Sequence, residues 1–266
     1  MKLKAWSLAL FAATAMIAWG VPAGAVDGTI EINQAAVLAA GGFPYRITAA
    51  TNSGSYRLTG NLAAPLGTDG IDVTAPIVTI DLNGFAISGN GSVGVNAAVG
   101  DVTVENGTVT GFGIGVDEGN FGIVRNVHAD ANGSGITVGD NSLVEDCTAN
   151  NSTGASGAAI NCSGVCVISG NTASGNGKLD GIDCAGNGCV ISRNTANANT
   201  TGIDCKGSGC LISGNTAFNN TTGIAASDTD TGYAGNVLKN TTNVPPSNGT
   251  SIQGSNQQNL CTGSAC

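Results

Sequence analysis

Two tripeptides of this 266-residue chain carry groups that could do chemistry. Ile182-Asp183-Cys184 recurs 21 residues later as Ile203-Asp204-Cys205, each with one carboxylate between two apolar residues. If the two copies stack as neighbouring strands, their carboxylates lie about 5 Å apart. Retaining glycosidases use carboxyl pairs at ~5–5.5 Å, and oxygen-rich clusters of this kind also hold Ca²⁺. Asn161, one repeat earlier, would add an amide oxygen, so Asn161, Asp183 and Asp204 are the candidate Ca²⁺ ligands. Lys206, just beyond Asp204, is the nearby base candidate, which makes Asp183, Asp204 and Lys206 the catalytic candidates. The competing reading is an outward polar file that keeps a rod in solution.

The nine cysteines are the second chemical signal. Cys162–Cys166, Cys184–Cys189, Cys205–Cys210 and Cys261–Cys266 are near neighbours in sequence, and Cys147 is left over as a free thiol. The first three pairs bracket one turn in three successive repeats. As disulfides, each would close a loop of about six residues, worth roughly 2 kcal/mol in the chain-entropy model. Cys162, Cys184 and Cys205 also form one column about 4.8 Å apart, which permits a different pairing. A thiolate metal site is a third option. The spacing is not Cys-x-x-Cys, however, and the single histidine, His128, lies in another repeat. Local staples are the expectation.

The elements that must position these groups are short. Small-plus-aliphatic steps recur at Gly70-Ile71, Gly94-Val95, Gly115-Val116, Gly135-Ile136, Ala159-Ile160, Gly181-Ile182, Gly202-Ile203 and Gly223-Ile224, at intervals of 20 to 24 residues. A second column runs Ile80, Val104, Val124, Val144, Ile168, Ile191, Ile212, and a third repeats Asn-Thr-Ala at Asn171, Asn194 and Asn215. Apolar residues alternate over three to five positions between Gly, Asn and Ser. Period two means strands, and runs this short leave no room for crossover helices. The consistent solution is all-β, a parallel β-helix solenoid of about eight coils. The Asn column reads as stacked turn amides.

The same register predicts three outward files. One is Asp72, Asn96, Asp117, Thr137, Asn161, Asp183, Asp204, Ala225. The second is Asp81, Glu105, Arg125, Glu145, where Arg125 reads as a cross-strand ion pair worth roughly 0.2–1 kcal/mol. In the third, His128 aligns with Thr148, Thr172, Thr195 and Thr216 as an exposed strand residue.

Composition fits a solenoid. Gly supplies 42 residues, charged residues 10% and aromatics 4%, which excludes a coiled coil or a conventional helical core. Residues 1–25, with Lys2 and Lys4 before an apolar run and Ala23-Gly24-Ala25 at the end, read as a secretory signal peptide. No later segment is long and apolar enough to span a membrane. Without that leader the formal charge of −9 deepens to −11, which excludes nucleic acid as a partner, and both tryptophans, Trp6 and Trp19, are gone. Residues 26–66 read as an N-terminal cap and entry strands, with a short capping helix over 30–40. Residues 67–225 read as the coils and 226–266 as a C-terminal cap or tail.

Val78-Thr-Ile-Asp-Leu-Asn-Gly-Phe-Ala-Ile87, with the Thr29–Gln34 lead-in, the Gly54–Leu62 step and the Cys261…Cys266 tail, resembles secreted bacterial right-handed parallel β-helix repeat proteins of the pectin-lyase-like superfamily. The resemblance implies right-handed winding and a periplasmic or extracellular location. It implies no single activity, because that superfamily includes polysaccharide lyases and hydrolases, tailspikes and adhesins. In its lyases, Ca²⁺ on acidic residues neutralises a uronate beside an Arg or Lys base, yet no Arg stands in the Asp183–Asp204 file. Sugar clefts commonly use exposed Trp or Tyr, and Tyr45, Tyr56 and Tyr233 all lie near the ends. The reading is therefore a noncatalytic, exported rod without a required cofactor, acting as a surface, envelope or carbohydrate-binding structural protein. The alternative is a polysaccharide lyase or hydrolase using the Asp file, with Ca²⁺.

Overall fold

A computed structural model describes residues 28–48, 54–226, 230–242 and 259–261. Residues 1–25, read as a leader, lie outside the described residues. So does Cys266, and with it the expected Cys261–Cys266 pair.

Among the described residues the strands form a parallel β-solenoid with three sheets. The first stacks ten rungs, from Thr29–Ile32 to Gly232–Ala234. The second stacks nine, from Tyr45–Ile47 to Thr222–Ala226. The third holds Thr172–Ser174, Thr195–Asn197, Thr216–Phe218, Val237–Lys239 and Leu260–Cys261. Every described pairing between strands is parallel and in register. Ile71, Val95, Val116, Ile136, Ile160, Ile182, Ile203 and Ile224 stand one above another in the second sheet. Ile80 to Ile212 do so in the first. Their side chains are buried and make one continuous core along the axis. At a rung spacing of about 4.8 Å, ten rungs span roughly 45 Å.

The coil count corrects the sequence expectation from about eight to about ten. The Gly-Ile step begins at residue 70, but Ile30 and Tyr56 already stack beneath Ile80. Tyr233 stacks on Ile212 at the far end. Tyr56 and Tyr233 fill the inward position at two of these three rungs, which hides them from a search for aliphatic columns. The capping helix is also shorter than expected. Ile30 and Ile32 alternate as a strand paired with Tyr56 and Leu58, and the helix covers only Gln34–Ala39. Asn33 caps it by accepting a hydrogen bond from the Ala36 N–H at 3.0 Å. Val37 is its buried contact.

One turn position closes each coil between the first and third faces. Asn106, Asn126, Asp146, Gly170, Arg193, Gly214 and Gly235 occupy it, all at φ between 52° and 71°. That left-handed region explains why Asn, Asp and Gly dominate there. Directly after it stand the buried Asn171, Asn194, Asn215 and Asn236, which with Asn259 form an amide ladder. From Asn194 onward each Oδ1 accepts from the backbone N–H and Nδ2 of the asparagine one rung earlier, at 2.8–3.0 Å, and Asn171 Oδ1 accepts from the Cys147 N–H at 2.8 Å. Asn176, Asn199 and Asn220, five residues on, and Asn240, four residues after Asn236, build a second ladder. That ladder fixes the Gly-Ile step. A Cβ on Gly202 would meet Gly223 O at 2.5 Å and Asn220 Nδ2 at 2.8 Å, so only glycine fits.

Candidate functional site

Asp183 and Asp204 lie in register on the strands Asp180–Cys184 and Thr201–Cys205, with Asn161 one rung below Asp183. Alternation places their flanking Ile and Cys inward and the carboxylates outward. Neither carboxylate is well exposed, at 8% for the Asp183 side chain and 16% for Asp204. Lys206 leaves the strand at the following turn and folds back across the pair. Its Nζ forms an ion pair with Asp183 Oδ2 and lies 3.7 Å from Asp204 Oδ2. The ammonium thus occupies the position between the two carboxylates that a cation would seek.

The charge balance of this cluster is uneven. Burial pushes the Asp183 carboxyl above its usual range, and the hydrogen bond and charge of Lys206 counter only part of that. Asp204 is pushed up to about 6, first by burial and further by Asp183 and Asp180, again against Lys206. For Lys206, burial pulls downward but the three carboxylates outweigh it, so the ammonium is held charged. Asp183 Oδ1 is buried without a hydrogen-bond partner. Asp180 is tied into the scaffold, its Oδ1 accepting from the Thr201 N–H at 3.1 Å.

In the second outward file, Arg125 closes on Glu105, Nε to Oε2 at 2.6 Å. It is an exposed structural ion pair between adjacent rungs. His128 stacks between Thr108 and Thr148, in the file that continues through Thr172, Thr195 and Thr216. Its Nδ1 is 3.0 Å from Thr148 Oγ1, and Thr148 donates to Asp130 Oδ1 at 3.0 Å. Beside it, Gly84, Asn106, Gly107, Thr108, Asn126 and His128 line a surface depression of about 270 Å³.

Three disulfides close the expected turns, Cys162–Cys166, Cys184–Cys189 and Cys205–Cys210, with Cα–Cα distances of 6.4, 6.6 and 6.7 Å. Cys147 is a buried free thiol. It faces the Glu145 carbonyl at 3.2 Å, and burial pushes its pKa up to about 12, so it is no nucleophile.

No known protein-family profile matches the sequence, and no curated protein does. Among solved structures, the crystal structure of the Dettilon tailspike protein is similar. It aligns with a TM-score of 0.55 at 16% identity, over 79% of this chain and 47% of the tailspike. The chain therefore spans about half the length of that protein. At this identity the likeness concerns the fold, a parallel β-solenoid. Among the described residues, no helix is long and apolar enough to cross a membrane.

The geometry also exposes a residue that the chemical reading of the sequence passes over. Glu118 points into the core, 3% exposed, with both carboxylate oxygens unpartnered. Burial and the adjacent Asp117 push its pKa well above the usual carboxylate range. The signal lies in the alternation, because Val116 faces in and Asp117 faces out, so Glu118 must face in.

Proposed function

We propose that this protein is a noncatalytic, exported rod that binds polysaccharide or a cell-envelope component along a polar face. The observation that carries the reading is the file Thr108, His128, Thr148, Thr172, Thr195, Thr216, with one hydrogen-bonding side chain per rung over six successive rungs. It spans about 24 Å and beside its N-terminal end lies the depression of Asn106, Asn126 and His128. Hydroxyls, amides and an imidazole at a fixed repeat suit a hydroxyl-rich polymer lying along the axis. Three disulfides fit an oxidising compartment, and the tailspike likeness supports a rod at the level of fold. A formal charge of −9 opposes nucleic acid as a partner.

A polysaccharide hydrolase or lyase built on Asp183 and Asp204, with Ca²⁺ as cofactor, is the second reading. It draws on the Asp204 pKa of about 6, which suits a general acid. Against it, Lys206 already neutralises the pair from within. Affinity electrophoresis through gels containing acidic or neutral polysaccharides tests the binding reading. Retardation of the wild type in at least one gel is expected, weakened in His128→Ala and in Thr172→Val/Thr195→Val. Equal retardation of those variants would move the binding face elsewhere, and no retardation in any gel would remove polysaccharide as the partner.

A further inference from the structure

The three stacked staples bring sulfurs of adjacent coils together. Cys162 and Cys184 are in register on neighbouring strands. The Sγ atoms of Cys162, Cys184 and Cys189 all lie within 4.8 Å of one another, and all three residues are fully buried. One backbone oxygen sits among them. The Gly164 carbonyl is 2.9 Å from Cys162 Sγ, 3.4 Å from Cys184 Sγ and 3.4 Å from Cys189 Sγ. Three sulfurs and one oxygen thus converge on a single small volume, drawn from two coils whose spacing the parallel ladder fixes. The turns that carry them are stacked in close contact, since a Cβ on Gly186 would strike Gly164 O at 2.1 Å.

We infer that the reduced form of this rod holds one soft divalent metal ion at Cys162, Cys184 and Cys189, with the Gly164 carbonyl completing a four-ligand set. In the oxidised protein Cys184 is bonded to Cys189 and Cys162 to Cys166, and the site is latent. A dithiol reductant opens it. Each of the Cys162–Cys166 and Cys184–Cys189 bonds takes up two electrons and two protons, and each reductant molecule closes into its own cyclic disulfide. The ion then displaces the protons of its three cysteine ligands to solvent as the thiolates bind. Thiolate donors select soft or borderline ions such as Zn²⁺ and Cd²⁺ over Ca²⁺ or Mg²⁺. Freed Cys166 lies off the set, near the Gly139 carbonyl at 3.3 Å. Cys205 and Cys210, one rung on, face the Gly207 carbonyl at 3.1 and 3.8 Å. Cys147 belongs to a different file and hydrogen-bonds Glu145 O.

The test titrates Cd²⁺ alone into the full-length chain after anaerobic reduction with dithiothreitol and removal of the reductant, following the thiolate-to-cadmium ultraviolet absorption. Far-ultraviolet circular dichroism is recorded in parallel. The expected result is one Cd²⁺ per reduced chain at this site and none in the oxidised chain. That ion is lost in Cys184→Ser and retained in the Cys205→Ser/Cys210→Ser double variant. Equal absorption in Cys184→Ser and wild type would overturn the assignment, because the ion would then be held by other thiols. Reduced wild type that keeps its strand signal and binds nothing would overturn it too. So would a reduced chain that loses its strand signal and does not regain it with Cd²⁺.

Discussion

Glu118 is the residue whose environment departs most from its chemistry. It shares an inward file with Ala97 on the rung below, and by the same alternation with Val138 and the cysteines above. A carboxylate there has no partner for its charge, so the folded chain favours the protonated form. The raised folded-state pKa makes the protein more stable at acid pH, and stability declines as pH rises above the unfolded value near 4.5. Glu118→Gln mimics the protonated acid and removes that dependence. We expect the variant to match the wild type near pH 4 and to exceed it progressively toward pH 8, by up to about 1.4 kcal/mol for each pH unit between the two pKa values. Thermal unfolding at the two pH values measures this, and a difference independent of pH would refute the buried-acid account. The position of Glu118 was legible from strand parity alone. Lys206 was legible as the basic neighbour of Asp204, but its ion pair with Asp183 was not, because its long side chain folds back across a rung and no spacing rule records such a reach.

The coil is the element on which stability rests, and its asparagines tie one coil to the next. Asn215 Oδ1 accepts from Asn194 N at 2.8 Å and Asn194 Nδ2 at 3.0 Å, while its own Nδ2 donates to Ile191 O at 2.9 Å and Asn236 Oδ1 at 3.0 Å. Asn215→Ala leaves several of these buried groups unpaired. At about 1–3 kcal/mol for an unsatisfied buried group, the expected loss is on the order of 3 kcal/mol. A solenoid couples only neighbouring units, so the rungs beyond Asn215 should lose amide-exchange protection first. A shift of the urea midpoint corresponding to less than about 1 kcal/mol would mean the ladder is not a principal tie. The first ladder is readable from Asn171, Asn194 and Asn215, whereas the second needs the five-residue offset of Asn176, Asn199 and Asn220 to be noticed. Past Ile224 the Gly-Ile step vanishes but Asn236, Asn240 and Asn259 persist. The final rungs are therefore held by amides rather than announced by aliphatic columns, which is why a column-based count stops short.

At the scale of the whole molecule, Asp117, Glu118, Asp183 and Asp204 are all shifted upward, with burial as the leading cause in each. The sign follows directly. Each of these groups binds its proton more tightly folded than unfolded, so stability is greatest below the unfolded values near 4. It falls as pH climbs, through about 6 in the case of Asp204. The net charge of −9 at pH 7 adds self-repulsion in the same direction. The melting temperature should therefore rise on acidification from pH 7 to pH 4.5. Asp204→Asn should flatten the part of that rise below pH 6. A melting temperature that falls steadily over this range would contradict the electrostatic account. The solenoid itself was legible in the sequence because each coil repeats the same inward alternation. The proposed binding face was not, because it is made of ordinary outward residues such as Thr172 and Thr195, whose types serve solubility equally well.

A rod that binds polysaccharide without cutting it releases no product ends, and an assay for such ends is the sharpest check on the proposed function. Purified protein would be incubated with acidic and neutral polysaccharides, with and without Ca²⁺, and new reducing or unsaturated ends would be counted, with Asp183→Asn/Asp204→Asn as the control. No ends above background are expected with any polymer, including those that retard the protein in gels. Ca²⁺-dependent cleavage that disappears in the double variant would refute a binding-only rod and place an active site on the Asp183–Asp204 rungs.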